Sequence, residues 1–354
     1  MKPAKSTRSH MKRTSFCLIR FLALALVVAG IGICCMCMVY MRRYDGRMTP
    51  MMLPPSGRVL EPEKRVVRFA VIGDFDVRND GIERAGAEIR SLGADFVLCT
   101  GDIAKKPQDV RHFHWIAERI HDAFGDIPFM ATPGNHDRES KEAFEEGLRP
   151  YELIFGHPEY WFGYGDCMFV SLNTSRETLP PGGIKNLREM LQQERGNFQR
   201  LVIFSHVPPI DLRGGKPDCL PEVDAGQLDS LLPEYSPTLY LCGHHHNYSS
   251  SKFAGSTLVT TPALGQQNRS GSHGNGFLMV TLPEKGEPVV ELHEISGGET
   301  CSLEYFMASK LNLTPTGFIV GVVCIVLGVA IMFFRRRTEQ NPQVCGKNVT
   351  PNCP

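Results

Sequence analysis

Asp, Asn and His recur in this 354-residue chain at one kind of place, directly after short apolar runs and most often behind a glycine. In order they are Gly73-Asp74-Phe75-Asp76, Gly101-Asp102, Gly134-Asn135-His136-Asp137, Ser205-His206 and Gly243-His244-His245-His246. Carboxylate, amide and imidazole groups can ligate and can move protons. In open α/β sheets, ligand-binding groups collect outside the carboxyl ends of strands, so these tips can converge on one crevice. A glycine before the polar residue lets the backbone turn tightly there. Each piece alone has an ordinary explanation, since Gly-Asp is a common turn and a lone His is more often structural than a ligand. A series of five, all behind apolar runs, points to a shared site instead.

Short apolar runs at 66–72, 96–99, 128–131, 168–172, 201–204 and 238–242 would carry those tips as strands. They alternate with amphipathic stretches at 81–92, 110–124 and 184–195 that read as helices, which makes an α/β domain starting near Arg65. Later runs at 257–261, 276–282 and 288–295 follow one another without convincing helices, so the domain is expected to end in a strand-rich half. The Gly- and Ser-rich stretch 265–276 reads as a surface loop beside or over a site.

The motifs resemble the calcineurin-like metallophosphoesterase superfamily, whose pattern runs Asp-x-His, Gly-Asp-x-x-Asp/Asn, Gly-Asn-His-Asp/Glu, a lone His and Gly-His-x-His. Order and spacing agree across about 65–295, and the runs Gly134 to Asp137 and Gly243 to His246 match fully. The resemblance implies two packed mixed β-sheets flanked by helices, a four-layer sandwich, with two metal ions between the strand tips. Carried over residue by residue, Asp74 and His246 would bind the first ion. Asn135, His206 and His244 would bind the second, and Asp102 would bridge them. The mixture of O and N donors suits two divalent or mixed-valence ions such as Mn, Fe or Zn better than an all-oxygen Mg or Ca cage. His136 is the implied catalytic residue, stabilising the transition state or protonating the leaving oxygen, with Asp137 positioning it.

This sequence departs from the family pattern twice. Asp76 stands where the first motif has His, and would ligate through oxygen at the cost of extra negative charge. Lys105 stands where the second motif has Asp or Asn, and either leaves an outer support missing or pairs with Asp76. The remaining histidines carry less weight. His112, His114 and His121 read as helix surface or packing, and His157 and His273 as loop residues.

The ends of the chain read differently from its middle. Residues 16–41 are apolar apart from Arg20, and 317–334 carry no charge, so both are long enough to cross a bilayer. The first apolar stretch exceeds the core of a cleaved signal peptide and lacks a clear small-x-small site before Arg42, which favours an uncleaved anchor. Lys2, Lys5, Arg8, Lys12 and Arg13 precede the first span against Arg42, Arg43 and Arg47 after it, while Arg335, Arg336 and Arg337 follow the second and only Lys310 closely precedes it. By the positive-inside rule both termini face the cytoplasm and the middle segment lies on the exoplasmic side of a two-pass protein. The expected organisation is a basic N-terminus (1–15), transmembrane helix (16–41), linker (42–64), phosphoesterase-like domain (65–300), linker (301–316), transmembrane helix (317–334) and cytoplasmic tail (335–354).

Lys+Arg and Asp+Glu are equal at 38 each, so no net positive field favours nucleic acid as a partner. Of the twelve cysteines, Cys99 and Cys242 fall in strand-like runs, no CxxC pattern occurs in the middle segment, and a disulfide framework is not indicated. Asn173, Asn247, Asn268 and Asn312 begin Asn-x-Ser/Thr sequons. Neither a Gly-x-Ser-x-Gly elbow nor a P-loop is present. The expected function is hydrolysis of a phosphodiester or phosphomonoester by metal-activated hydroxide, with membrane anchoring favouring a lipid-linked or envelope substrate. The alternative is a membrane-tethered binding or sensory module that keeps the fold with weak or no turnover.

Overall fold

The computed structural model describes residues 6–44, 52–75, 80–104, 110–138, 146–213, 217–264, 275–295 and 315–339. The chain forms two compact units, Tyr44–Phe306 and a second made of Met1–Arg43 with Met307–Pro354.

In the second unit, helix α1 (Ser6–Tyr44) and helix α7 (Pro315–Glu339) are long and apolar, with candidate spans at Leu18–Val39 and Thr316–Phe333. Most of their apolar side chains are exposed, including Phe21, Val28, Ile319 and Phe333. A core helix of a water-soluble domain would bury them. The two helices lie against each other antiparallel. Cys34 Sγ is 3.8 Å from the Phe318 carbonyl near one end, and near the other the Ala23 carbonyl faces Gly328. Small residues permit this approach, because a Cβ on Gly321 would sit 2.6 Å from Cys34 Sγ.

The larger unit holds twelve strands. They are β1 (Val59–Leu60), β2 (Val67–Ile72), β3 (Phe96–Cys99), β4 (Phe129–Ala131), β5 (Tyr160–Tyr164), β6 (Cys167–Ser171), β7 (Arg200–Phe204), β8 (Leu239–Cys242), β9 (Ser249–Phe253), β10 (Ser256–Thr260), β11 (Gly276–Leu282) and β12 (Val289–Glu294). Among them run α2 (Gly81–Leu92), α3 (Val110–Phe124), α4 (Arg149–Phe155), α5 (Gly183–Glu194) and α6 (Glu222–Leu231). One sheet has the order β12-β11-β2-β3-β4 and the other β1-β5-β6-β7-β8-β10-β9. Both are mixed. β2, β3 and β4 are mutually parallel, as are β6, β7, β8 and β10, whereas β11 runs antiparallel to β2 and β12, β9 to β10, and β5 to β6.

The parallel strands are buried on both faces, which explains their near-continuous apolar sequences. Between the sheets, Phe69 and Phe96 of one meet Phe162 and Phe169 of the other, with Phe69 and Phe96 stacked at 4.9 Å and Phe169 edge-on to both. On the outer face of the larger sheet, Met168, Val170, Ile203 and Tyr240 pack against Leu187 and Leu191 of α5 and Leu228 and Leu231 of α6. On the smaller sheet's side, α2 and α3 present Ile82, Ile89, Ile116 and Ile120 as buried stripes, and Phe124 of α3 meets Phe129 of β4 at 5.8 Å. The result is the expected pair of mixed sheets flanked by helices.

Two features differ from the sequence reading. The C-terminal strands do not form one half of the domain: β9 and β10 complete the larger sheet, while β11 and β12 complete the smaller one. Part of the expected linker 42–64 is also structured, since Val59 and Leu60 pair in parallel with Gly163 and Tyr164, and Met52 N donates to the Ile154 carbonyl at 3.2 Å. The backbone of this stretch finds its partners on an otherwise open sheet edge.

Candidate metal centre

The parallel strands of both sheets deliver the polar tips. Asp74 follows β2, Asp102 follows β3, Asn135 to Asp137 follow β4, His206 follows β7 and His244 to His246 follow β8. Several are held in strained backbone: Asp74 (φ +52°), Asp102 (+53°), His244 (+68°) and His246 (+54°) all lie in the left-handed region. Such positions cost on the order of 1–3 kcal/mol each and persist only where the surroundings impose them.

His206 is fully buried, and its Nδ1 donates to the Thr100 carbonyl at 2.9 Å. That assigns the ring proton to Nδ1 and leaves a lone pair on Nε2. Burial pushes the imidazole down to about 3, so the ring is neutral. Around Nε2 stand Asn135 Oδ1 at 3.0 Å, His244 Nδ1 at 3.2 Å and Asp102 Oδ1 at 3.4 Å. His244 Nε2 in turn donates to Asp218 Oδ1 at 2.9 Å, which turns its Nδ1 lone pair toward His206. Acceptors therefore face acceptors, an arrangement that a cation held among them would satisfy.

A second set lies alongside. Asp74 is fully buried; its Oδ2 accepts the His244 amide at 3.0 Å, and its Oδ1 lies 3.2 Å from His246 Nε2 without hydrogen-bond geometry. Burial opposes ionisation of Asp74, yet the close approach of His246 holds its carboxyl below the usual range. Ligand atoms of Asp74, Asp102 and His206 all come within 4.8 Å of one another. The orphaned Asp74 oxygen and the converging lone pairs fit a metal centre, and the O and N donors suit transition-metal ions.

His136 and Asp137 differ in what they do. The His136 amide donates to Asp102 Oδ1 at 2.9 Å, while its side chain is 39% exposed, with Nε2 3.9 Å from Asp102 Oδ2. Asp137, expected to position the His136 ring, instead directs both oxygens to backbone amides, those of Ala104 at 2.6 Å and Gly134 at 2.8 Å. It ties the β3 and β4 tips together. Burial raises its carboxyl to about 7 even against these donors.

Residues 67–248 match the pattern of the calcineurin-like phosphoesterase family. The chain belongs to this family. The matched stretch holds every tip described above. Among curated proteins, this chain is 25% identical over 186 residues to a probable glycerophosphodiester phosphodiesterase of Arcobacter nitrofigilis, covering 49% of this chain and 64% of that protein. It is 24% identical over 189 residues to a probable cyclic nucleotide phosphodiesterase of Psychrobacter sp. strain PRwf-1, covering 50% of this chain and 54% of that protein. The chain thus spans less than two thirds of either relative's length. In fold it resembles a purple acid phosphatase from yellow lupin (Lupinus luteus) seeds, with a TM-score of 0.52 at 16% identity over 68% of this chain and 53% of that one.

The cluster is also held by residues that the sequence motifs do not mark. At the β6 tip, Thr174 Oγ1 accepts the amides of His206 at 3.1 Å and Val207 at 2.9 Å, and Glu177 Oε1 accepts Asn135 Nδ2 at 3.0 Å. Asn173, which begins a sequon, is buried there and accepts from Ser175 N and Oγ, so the folded domain offers it to no glycosylating enzyme. The apolar run before this tip was visible, but the tip itself, Asn-Thr-Ser-Arg-Glu, carries no Gly-Asp or His signal. The α3 histidines are not drawn into the cluster: His112 packs edge-on to Trp115 at 5.9 Å and His114 lies 4.0 Å from Glu118. Asp76, Lys105 and His273 lie outside the described residues.

Proposed function

We propose that this chain is a metal-dependent phosphoester hydrolase with a preference for phosphodiesters, acting on the exoplasmic side of a membrane. The observation that carries the reading is the set of unshared lone pairs of Asn135, His206 and His244 facing one another beside Asp102 and Asp74. Asn135, His206 and His244 would hold one ion, Asp74 and His246 the other, and Asp102 both. Asp76 remains a proposed additional ligand of the first. When bound, two such ions supply Lewis-acid polarisation of the phosphoryl group and a lowered pKa for an attacking water.

The chain's own residues then have separable tasks. His136, partly exposed and anchored by its amide on Asp102, is placed to protonate the leaving oxygen or to hydrogen-bond a phosphoryl oxygen. Arg138 and Arg176 lie close enough for their charges to interact, giving a cationic flank to an anionic substrate; Arg138 is anchored on Ser175 Oγ at 3.2 Å. The diester preference draws on the two curated relatives, both named as phosphodiesterases. A lipid-linked or envelope phosphodiester is the preferred natural class, because the anchored domain meets such substrates at the membrane.

The full chain in detergent, supplied with Mn²⁺, is expected to hydrolyse bis(p-nitrophenyl) phosphate. His206→Ala should reduce turnover at least about 100-fold, comparable to removing one contact aimed at developing charge. No turnover by a folded chain that holds two ions would point to strict substrate selectivity, whereas no turnover with one ion or none would point to the tethered binding module.

The proposed topology rests on two exposed apolar helices that pair antiparallel, so that the start of α1 and the end of α7 lie on one side, and on Arg335, Arg336 and Arg337 after the second span. Protease added to sealed vesicles from the cytoplasmic face is expected to leave 65–295 intact and to shorten the tails. Cleavage within 65–295 from that face would reverse the placement.

A further inference from the structure

We propose that Asp218 and Glu177 are positioning residues that select which atoms of His244 and Asn135 face the second metal position, an assignment that rests on the two-metal reading above. Neither belongs to a family motif in this sequence, and each bonds the outward end of one ligand.

An imidazole can ligate through either nitrogen, and the partner of the other nitrogen decides which. Asp218 Oδ1 takes the Nε2 proton of His244 at 2.9 Å, so Nδ1 is the atom left for the cluster. The same residue's carbonyl accepts His245 Nε2 at 2.8 Å, which fixes two consecutive rings after β8 from one point. Asp218 is itself held: Arg213 Nη2 pairs with its Oδ2 at 2.7 Å, and its amide donates to Asp211 Oδ2 at 2.8 Å. Because His244 sits at φ +68°, its own backbone does not favour this pose, and an outer partner has to maintain it.

Asn135 presents a parallel case. The two ends of an amide are alike in size, and only the oxygen can ligate a cation. Glu177 Oε1 accepts Nδ2 at 3.0 Å, which turns Oδ1 toward His206 Nε2, also at 3.0 Å. Glu177 is another residue at positive φ (+60°), on the β6 tip that also carries Thr174. Both carboxylates thus act on atoms that surround His206 Nε2, so their loss should weaken one metal position and spare the other. Outer partners of this type are worth about 10- to 100-fold in metal affinity.

The test is a calorimetric titration of the full chain in detergent with Mn²⁺, with far-UV circular dichroism as the control for folding. The wild type is expected to take up two ions. Asp218→Ala and Glu177→Ala should keep one of them at wild-type affinity and bind the other about 10- to 100-fold more weakly. Asp218→Asn and Glu177→Gln retain an acceptor oxygen and should lose less. If Asp218→Ala fails to fold, Arg213→Ala, which releases the side chains of Asp218 and Asp211 without removing either, is expected to show a smaller loss at the same position. Folded alanine variants that bind both ions like the wild type overturn the assignment alone. A wild type that takes up fewer than two ions overturns the two-metal reading and this assignment with it.

Discussion

Asp102→Asn is expected to lower metal-dependent phosphodiester turnover by at least about 10³-fold, the upper end of what one donor aimed at the transition state is worth, while leaving the metal-free chain no less stable. The two effects have one cause. Asp102 is 3% exposed, and its neighbours in the cluster include the equally buried Asp74 and the neutral His206. Without a cation these carboxylates repel each other in a medium that screens poorly. Asparagine removes one charge, tolerates the φ of +53° better than most residues, and can still accept the His136 amide. It cannot be shared by two cations as a carboxylate is. Thermal unfolding with and without Mn²⁺ separates the cases: ion at a hundredfold excess over its dissociation constant should stabilise the wild type by about 2.7 kcal/mol, and the variant far less. A variant that keeps both the Mn²⁺-dependent shift and turnover would remove Asp102 from the centre.

The clustering of the candidate residues was legible because each follows its strand directly. An apolar run followed by Gly-Asp, Gly-Asn-His or Gly-His encodes strand, turn and side chain within a few residues, and β2, β3, β4 and β8 are all followed so. Asp218 and Glu177 are of another kind. Asp218 lies in the connection between β7 and α6, and reaches His244 only because the β7 and β8 tips are adjacent in the sheet. Nothing local to either residue announces this. The same distinction separates the strands that were read from those that were not. β10 and β11 are apolar runs, whereas β9 is Ser-Ser-Ser-Lys-Phe on a sheet edge, where one side of the backbone meets no neighbouring strand and polar side chains suffice. Helix α6, Glu-Val-Asp-Ala-Gly-Gln-Leu-Asp-Ser-Leu, buries only Leu228 and Leu231, too few for a clear periodic stripe. The assignment of β9 and β10 to one sheet and β11 and β12 to the other depends on which edges remained open, which is a property of the whole domain.

Gly134→Ala is the substitution expected to do most damage for the smallest change in chemistry. A Cβ at this position would lie 2.0 Å from Asp102 Oδ1 and 2.3 Å from the Asp102 amide nitrogen. A flexible side chain could move aside, but one of these atoms is backbone, and the Gly134 amide is itself bound to Asp137 Oδ2 at 2.8 Å. Relief therefore requires the β3 and β4 tips to separate. β4 is a three-residue strand at the edge of its sheet, held by β3 on one side only, so separation there disrupts the short pairing that places Asn135 and His136. Overpacking of this sort costs about 1–3 kcal/mol and occasionally more, and here it also displaces Asp102 from the cluster. Gly196→Ala is the matching control, since a Cβ there meets nothing within 4 Å, and a surface change of that kind stays within about 0.5 kcal/mol. Urea unfolding of the two variants should show a clear loss for Gly134→Ala alone, together with weakened Mn²⁺ uptake. Wild-type stability and uptake in Gly134→Ala would mean that the two tips are not held in contact, and the reading of Asp137 as the tie between them would fail as well.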